Sequence, residues 1–272
     1  MDLLWYAVLV LLLGGYFALE GSNIGLGMLL PALGRDQPGR DRLVAAMAPF
    51  VLAGEVWLVA AVGVLFGAFP QLEGEVIFAL YPLVVALLAG WVVRDAGLWF
   101  RRRVEGPRWR AFWDGALCAG SWVLALAWGF ALAAIAGGLH GPVITLPGAL
   151  GALVVAAVLA FHGRTWAAWR LPDAIPGGTP GGMSDATPGG VRGGGRAGWA
   201  LCGSAALAAL PAVLPLAVAA PAVLEHAAPS QTLSMVGLMV VPFVPFMVAA
   251  QVGVWRIFGR RRSRDAGTPS FF

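Results

Sequence analysis

The chain has 272 residues, 59% of them hydrophobic and 12% charged, against about 25% charged in soluble domains. Its net charge of +4 would suit nucleic acid on a soluble domain, but the arginines fall in loops between apolar stretches, a topogenic pattern that excludes that reading. Cys118 and Cys202 sit in or beside apolar stretches without CxxC, haem-attachment or zinc spacing, so they read as small buried residues and no metal site is predicted.

The apolar pattern predicts an all-α integral membrane protein with about seven transmembrane helices. The first span, Leu3 to Leu33, is read as retained, because no short apolar region with a small-residue cleavage site is present. A turn from Gly34 to Arg42 leads to the second span, Leu43 to Phe69, and a connection of residues 70–75 leads to the third, Val76 to Phe100. The fourth, Trp113 to Ile135, follows the most basic stretch of the protein, with Trp109 and Trp113 at the expected headgroup level. The fifth runs from Ala149 to Trp169. Residues 172–198 are rich in Gly and Pro and predict a flexible linker. The sixth span, Trp199 to Leu224, holds Pro211, Pro215 and Pro221, and the seventh is Leu233 to Phe258. The organisation is therefore residues 1–171 with five helices, 172–198 as a cytoplasmic linker, 199–260 with two helices, and 261–272 as a polar cytoplasmic tail.

Arginines occupy the loops after spans one, three, five and seven, and none occurs in those after two, four and six. This alternation predicts the N-terminus outside and the C-terminus cytoplasmic.

Two spans carry a carboxylate at depth. Glu20 lies 13 residues before Leu33 and Glu55 lies 12 after Leu43, so helical rise sets them roughly 20 and 18 Å from the connecting turn. On antiparallel neighbours the two acids come level. An ionisable group so deep costs at least about 2.5–3.5 kcal/mol, so it turns to protein or water and finds a partner. Two carboxylates held together repel and resist joint ionisation, which makes a proton-holding arrangement; the plainer alternative is two separately bonded acids tying helices together. Asn23 follows Glu20 at helical spacing and shares its face.

Arg94, about a turn and a half inside the basic loop, is read first as snorkelling to the inner interface and second as functional. Asp114, four residues after Arg110, predicts a structural pair with it. His162, beside Gly163 and Arg164, is read as an interfacial, hydrogen-bonded residue rather than a haem ligand, and His140 and His226 fall in outward loops. The in-span methionines read as packing, so this chain is expected to bind no haem or other metal itself.

Several stretches together resemble subunit II of cytochrome bd-type quinol oxidases. Glu20-Gly-Ser-Asn-Ile-Gly-Leu-Gly-Met-Leu-Leu-Pro31 is similar to the family's acidic-Gly-Phe-Asp-x-Gly-x-Gly-Met-Leu segment. Pro49 to Leu58 resembles its Pro-x-Trp-Asp-Gly-Asn-Glu-Val-Trp-Leu segment, and Pro107-Arg-Trp-Arg110 with Trp113-Asp114 matches its basic loop. The likeness is dense over residues 14–130 and thin afterwards. It implies a bacterial cytoplasmic-membrane, multi-pass subunit pairing with a subunit I that carries haem b and haem d, where quinol is oxidised and oxygen reduced to water. It also implies a role for subunit II in assembly and in a proton route from the inner side. This chain departs from the pattern. Leu52 stands where the family has an aspartate and Asn23 where it has a second acid, and seven spans replace the typical nine. The proton-path candidates are thus Glu20, Asn23 and Glu55, with Arg94 and His162 as secondary polar candidates. The rival readings are a scaffold subunit that has lost proton conduction and a small membrane transporter.

Overall fold

The computed structural model describes residues 1–171 and 192–259, with side chains from residue 197 onward in the second segment. Among these residues every regular element is helical, and seven helices are long and apolar enough to cross a membrane. The chain is a multi-pass, all-α membrane protein.

The first span is built from α1 (Asp2–Leu19) and α2 (Gly21–Met28), which meet at Glu20. The junction stays in helical conformation, with Glu20 N donating to Tyr16 O and Asn23 N to Glu20 O, so Glu20 and Asn23 leave the same side of the axis. Pro31 ends the run by opening the short α3 (Leu30–Leu33).

The connecting turn is shorter than the sequence predicts. Asp36 caps α4 (Gln37–Ala68) by accepting from Gly39 N at 2.8 Å, and Pro38 suits the first turn, so the helix begins about two turns before the apolar run does. Residues 70–75 likewise belong to a helix, α5 (Pro70–Ala79). Pro82 then starts α6 (Tyr81–Phe100), leaving a third span shorter than predicted.

The remaining elements are α7 (Pro107–Ala136), α8 (Leu146–Arg170), α9 (Arg192–Val218), α10 (Ala220–Glu225), α11 (Ser230–Val240) and α12 (Val244–Phe258). The predicted linker lies outside the described residues up to 191, whereas 192–198 are helical, and the predicted tail also lies outside them. Apolar sequence ends before helix does here, because backbone bonding continues through glycines that no hydropathy pattern marks.

Packing centres on α2, which lies against α7 and α8, while α1 sits between α4 and α9. Ile24, Phe17, Leu124 and Leu159 fill one apolar layer, and Leu26, Leu43, Met47, Leu117 and Trp166 fill the next toward the arginine-rich end. Close approach is set by small residues, as expected where lipid removes the hydrophobic drive between helices. At Gly25 a Cβ would stand 1.8 Å from the carbonyl oxygen of Leu159. The last span is peripheral: α11 and α12 touch α4, and Leu233 is the one residue of these two helices that is buried.

Candidate functional site: a buried acid–arginine cluster

The two acids do come together, and a residue read as snorkelling joins them. Arg94 reaches from α6 into the bundle, where Nη1 donates to Glu20 Oε1 and Nη2 to Glu55 Oε1. Its relative exposure is 2%, so the snorkelling expectation is corrected. The reason lies in side-chain direction. Helical side chains lean toward the N-terminus of their helix, and on α6 that direction runs away from the basic loop and toward the level of Glu20 and Glu55.

Each element contributes a defined part. From the α1–α2 junction, Asn23 Nδ2 donates to Glu20 Oε2 at 2.8 Å, as their shared face predicts. Gly54 on α4 makes room for that carboxylate, since a Cβ there would stand 2.4 Å from Glu20 Oε2. From α6, Trp91 Nε1 donates to Glu55 Oε1 at 2.7 Å, and Asp95 Oδ1 accepts from Arg94 Nε at 3.0 Å. Glu20 and Asn23 are fully enclosed and Glu55 is nearly so. The planar guanidinium suits this role because its donors point in several fixed directions at once. Three carboxylates therefore surround one cation, an excess of two negative charges if all were ionised.

Trp91, Asp95 and Tyr16, which lies within electrostatic reach of Glu20, Arg94 and Glu55, are members that sequence reasoning missed. Trp91, Arg94 and Asp95 share three-and-four spacing on one face of α6, a signal that was present.

A second ionic cluster stands at the arginine-rich end. Arg101, 1% exposed, binds Asp41 at 2.9 Å and Asp114 at 2.7 Å, while Arg40, Arg102 and Arg110 approach the same two acids at 3.4–3.5 Å. Arg110 pairs with Asp41 rather than with Asp114 as local spacing predicts, while Asp114 is held by Arg101 and Arg40.

His162 is inside the bundle and not at an interface. Its Nε2 donates to Ala18 O at 3.0 Å and Nδ1 lies 2.8 Å from Ser204 Oγ, tying α8 to α1 and α9. With both ring nitrogens engaged it does not fit a haem ligand, and the described residues contain no group of three His, Cys, Asp or Glu able to hold a metal. Cys118 is half-buried, donating to Met28 O, whereas Cys202 is exposed on the outer surface and not buried as expected.

Seven apolar helices with a largely buried acid–arginine group among them define a polytopic, all-helical membrane protein that holds ionisable side chains inside its bundle. The chain belongs to the cytochrome bd terminal oxidase subunit II family, whose model matches residues 1–176 and so includes every member of the cluster. It is 32% identical over 128 residues to the probable cytochrome oxidase subunit 2 of Haemophilus influenzae, covering 47% of this chain and 34% of that protein. It is 33% identical over 128 residues to the cytochrome bd-I ubiquinol oxidase subunit 2 of Escherichia coli K12, with the same coverage. The cytochrome bd ubiquinol oxidase subunit 2 of Bacillus subtilis is 35% identical over 119 residues, 43% of this chain and 35% of the relative. The matched stretch thus spans about a third of the length of these relatives.

Proposed function

We propose that this chain is the non-haem subunit II of a bd-type quinol:oxygen oxidoreductase, standing in the bacterial cytoplasmic membrane with its N-terminus outside and its C-terminus cytoplasmic. Its partner is a subunit I carrying haem b and haem d, where quinol is oxidised and oxygen reduced to water. This chain supports assembly of that complex and holds a proton for it at Glu20 and Glu55.

The observation that carries the reading is the excess of carboxylate over cation in an enclosed site. A buried group with two uncompensated charges is costly, and binding a proton removes one of them without moving any helix. Glu20, with donors on both oxygens, is the ionised partner of Arg94. Glu55, with both of its donors on Oε1, has the other oxygen for a proton. In the complex, Glu55→Gln is expected to lower the rate of proton uptake about a hundredfold, in the range of a positioned proton-transfer group. Unchanged uptake in both Glu20→Gln and Glu55→Gln would remove the proton role. A haem-bearing chain that co-purifies and gives a reduced-minus-oxidised haem spectrum is the expected sign of the partner.

One observation favours a scaffold role instead. Leu52, at the position where the resemblance has an acid, is 57% exposed on the outside of α4, so no acid stands there to pass protons to a neighbouring subunit. Normal turnover with reduced yield of the complex in both glutamine variants would favour that reading.

A further inference from the structure

The cluster holds one acid that a proton-holding pair does not need. Asp95 Oδ1 accepts from Arg94 Nε and lies 2.9 Å from Nη2, the same nitrogen that donates to Glu55 Oε1. The guanidinium therefore holds these two carboxylates side by side.

The three acids differ in how far they are sealed. Side-chain exposure rises from 0% at Glu20 to 10% at Glu55 and 23% at Asp95. Commitment of oxygens falls in the same order. Both oxygens of Glu20 accept hydrogen bonds, whereas among the described residues nothing donates to Glu55 Oε2 or Asp95 Oδ2. A bound proton needs an oxygen not already facing a donor, and those are the two that qualify. Asp95 also lies six residues before Arg101, about 9 Å of helix from the arginine-rich end.

Resting on the reading of the cluster as proton-holding, we infer that Asp95 is its exchange group, through which protons pass between the arginine-rich end and Glu55. In the step itself the O–H bond on Asp95 Oδ2 breaks and one forms on Glu55 Oε2. Asp95 is left as carboxylate, Glu55 becomes neutral, and the charge of the cluster does not change. Glu20 stays the fixed counter-ion of Arg94. The groups facing Asp95 are Arg94 on its own helix, Glu20 at the α1–α2 junction and Glu55 from α4; Asp114 on α7 is engaged with Arg101 and Arg40.

The test uses the full chain in native membranes, transferred from H2O to D2O and followed by infrared spectroscopy. The protonated-carboxyl band that disappears in Glu55→Gln reports the proton on Glu55, and its isotope shift times the exchange. Asp95→Asn is expected to slow that shift about a hundredfold, the low end for losing a positioned proton-transfer group. Asp95→Ser, which keeps an acceptor for Arg94 without an exchangeable carboxyl, is expected to slow it likewise, and Asp95→Glu to restore it. A shift as fast as in the unaltered chain in both Asn and Ser variants would overturn the role of Asp95 and leave the proton-holding pair standing. If the unaltered chain has no band that Glu55→Gln removes, the proton-holding reading falls and the exchange role falls with it.

Discussion

Arg94→Gln is expected to destabilise the protein by about 3–5 kcal/mol, the cost of removing one partner from a buried ion pair. Two enclosed carboxylates would lose their charged donor together, keeping only the neutral donors Asn23 and Trp91. Thermal unfolding in detergent reads the loss, and adding Glu20→Gln to the same chain should recover part of it, because removing both charges spares the uncompensated one. Arg101→Gln makes the comparison. That arginine is as deeply buried, yet its partners Asp41 and Asp114 keep Arg40, Arg102 and Arg110 at 3.4–3.5 Å, so a smaller loss is expected. Equal losses in the two variants would mean that the shortage of cations around Glu20 and Glu55 has no energetic weight.

The same contrast explains what could be read from the sequence. Seven spans and the level of Glu20 with Glu55 follow from hydropathy and helical rise alone, because membrane helices are long, regular and antiparallel. Arg94 was misplaced because distance to the nearest interface took precedence over the direction in which a side chain leaves its helix. On α6 the two point opposite ways. Arg110 and Asp114 illustrate a different limit: spacing identifies the pairs a helix can make within itself, but Asp114 is bound by Arg101 from the turn after α6 and Arg110 reaches Asp41 on α4. The early starts of α4 and α9 were illegible for a third reason. Asp36 capping and backbone bonding through Gly-rich sequence extend helix into segments too polar or too small to register as span.

These limits bear on how the cluster is held in place, since neither the acids nor Arg94 fix the position of α2 by themselves. That position depends on contact with α8, where the backbones touch without intervening side chains. Gly25→Val is therefore expected to be severely damaging, since among the described glycines its added Cβ would stand nearest to backbone. Its Cβ would stand 1.8 Å from Leu159 O and 2.5 Å from Leu159 C, and no rotamer relieves a clash with backbone. The helices must separate, and with them the His162–Ala18 hydrogen bond and the layer formed by Ile24 and Leu159. Overpacking of this kind costs about 1–3 kcal/mol and occasionally more, and a clash against main chain belongs at or above the upper end. Gly63→Val on α4 is the control, because nothing lies within 4 Å of a Cβ there. Melting temperature and yield in membranes should fall sharply for Gly25→Val and hold for Gly63→Val; equal stability of the two variants would contradict a backbone-on-backbone contact between α2 and α8.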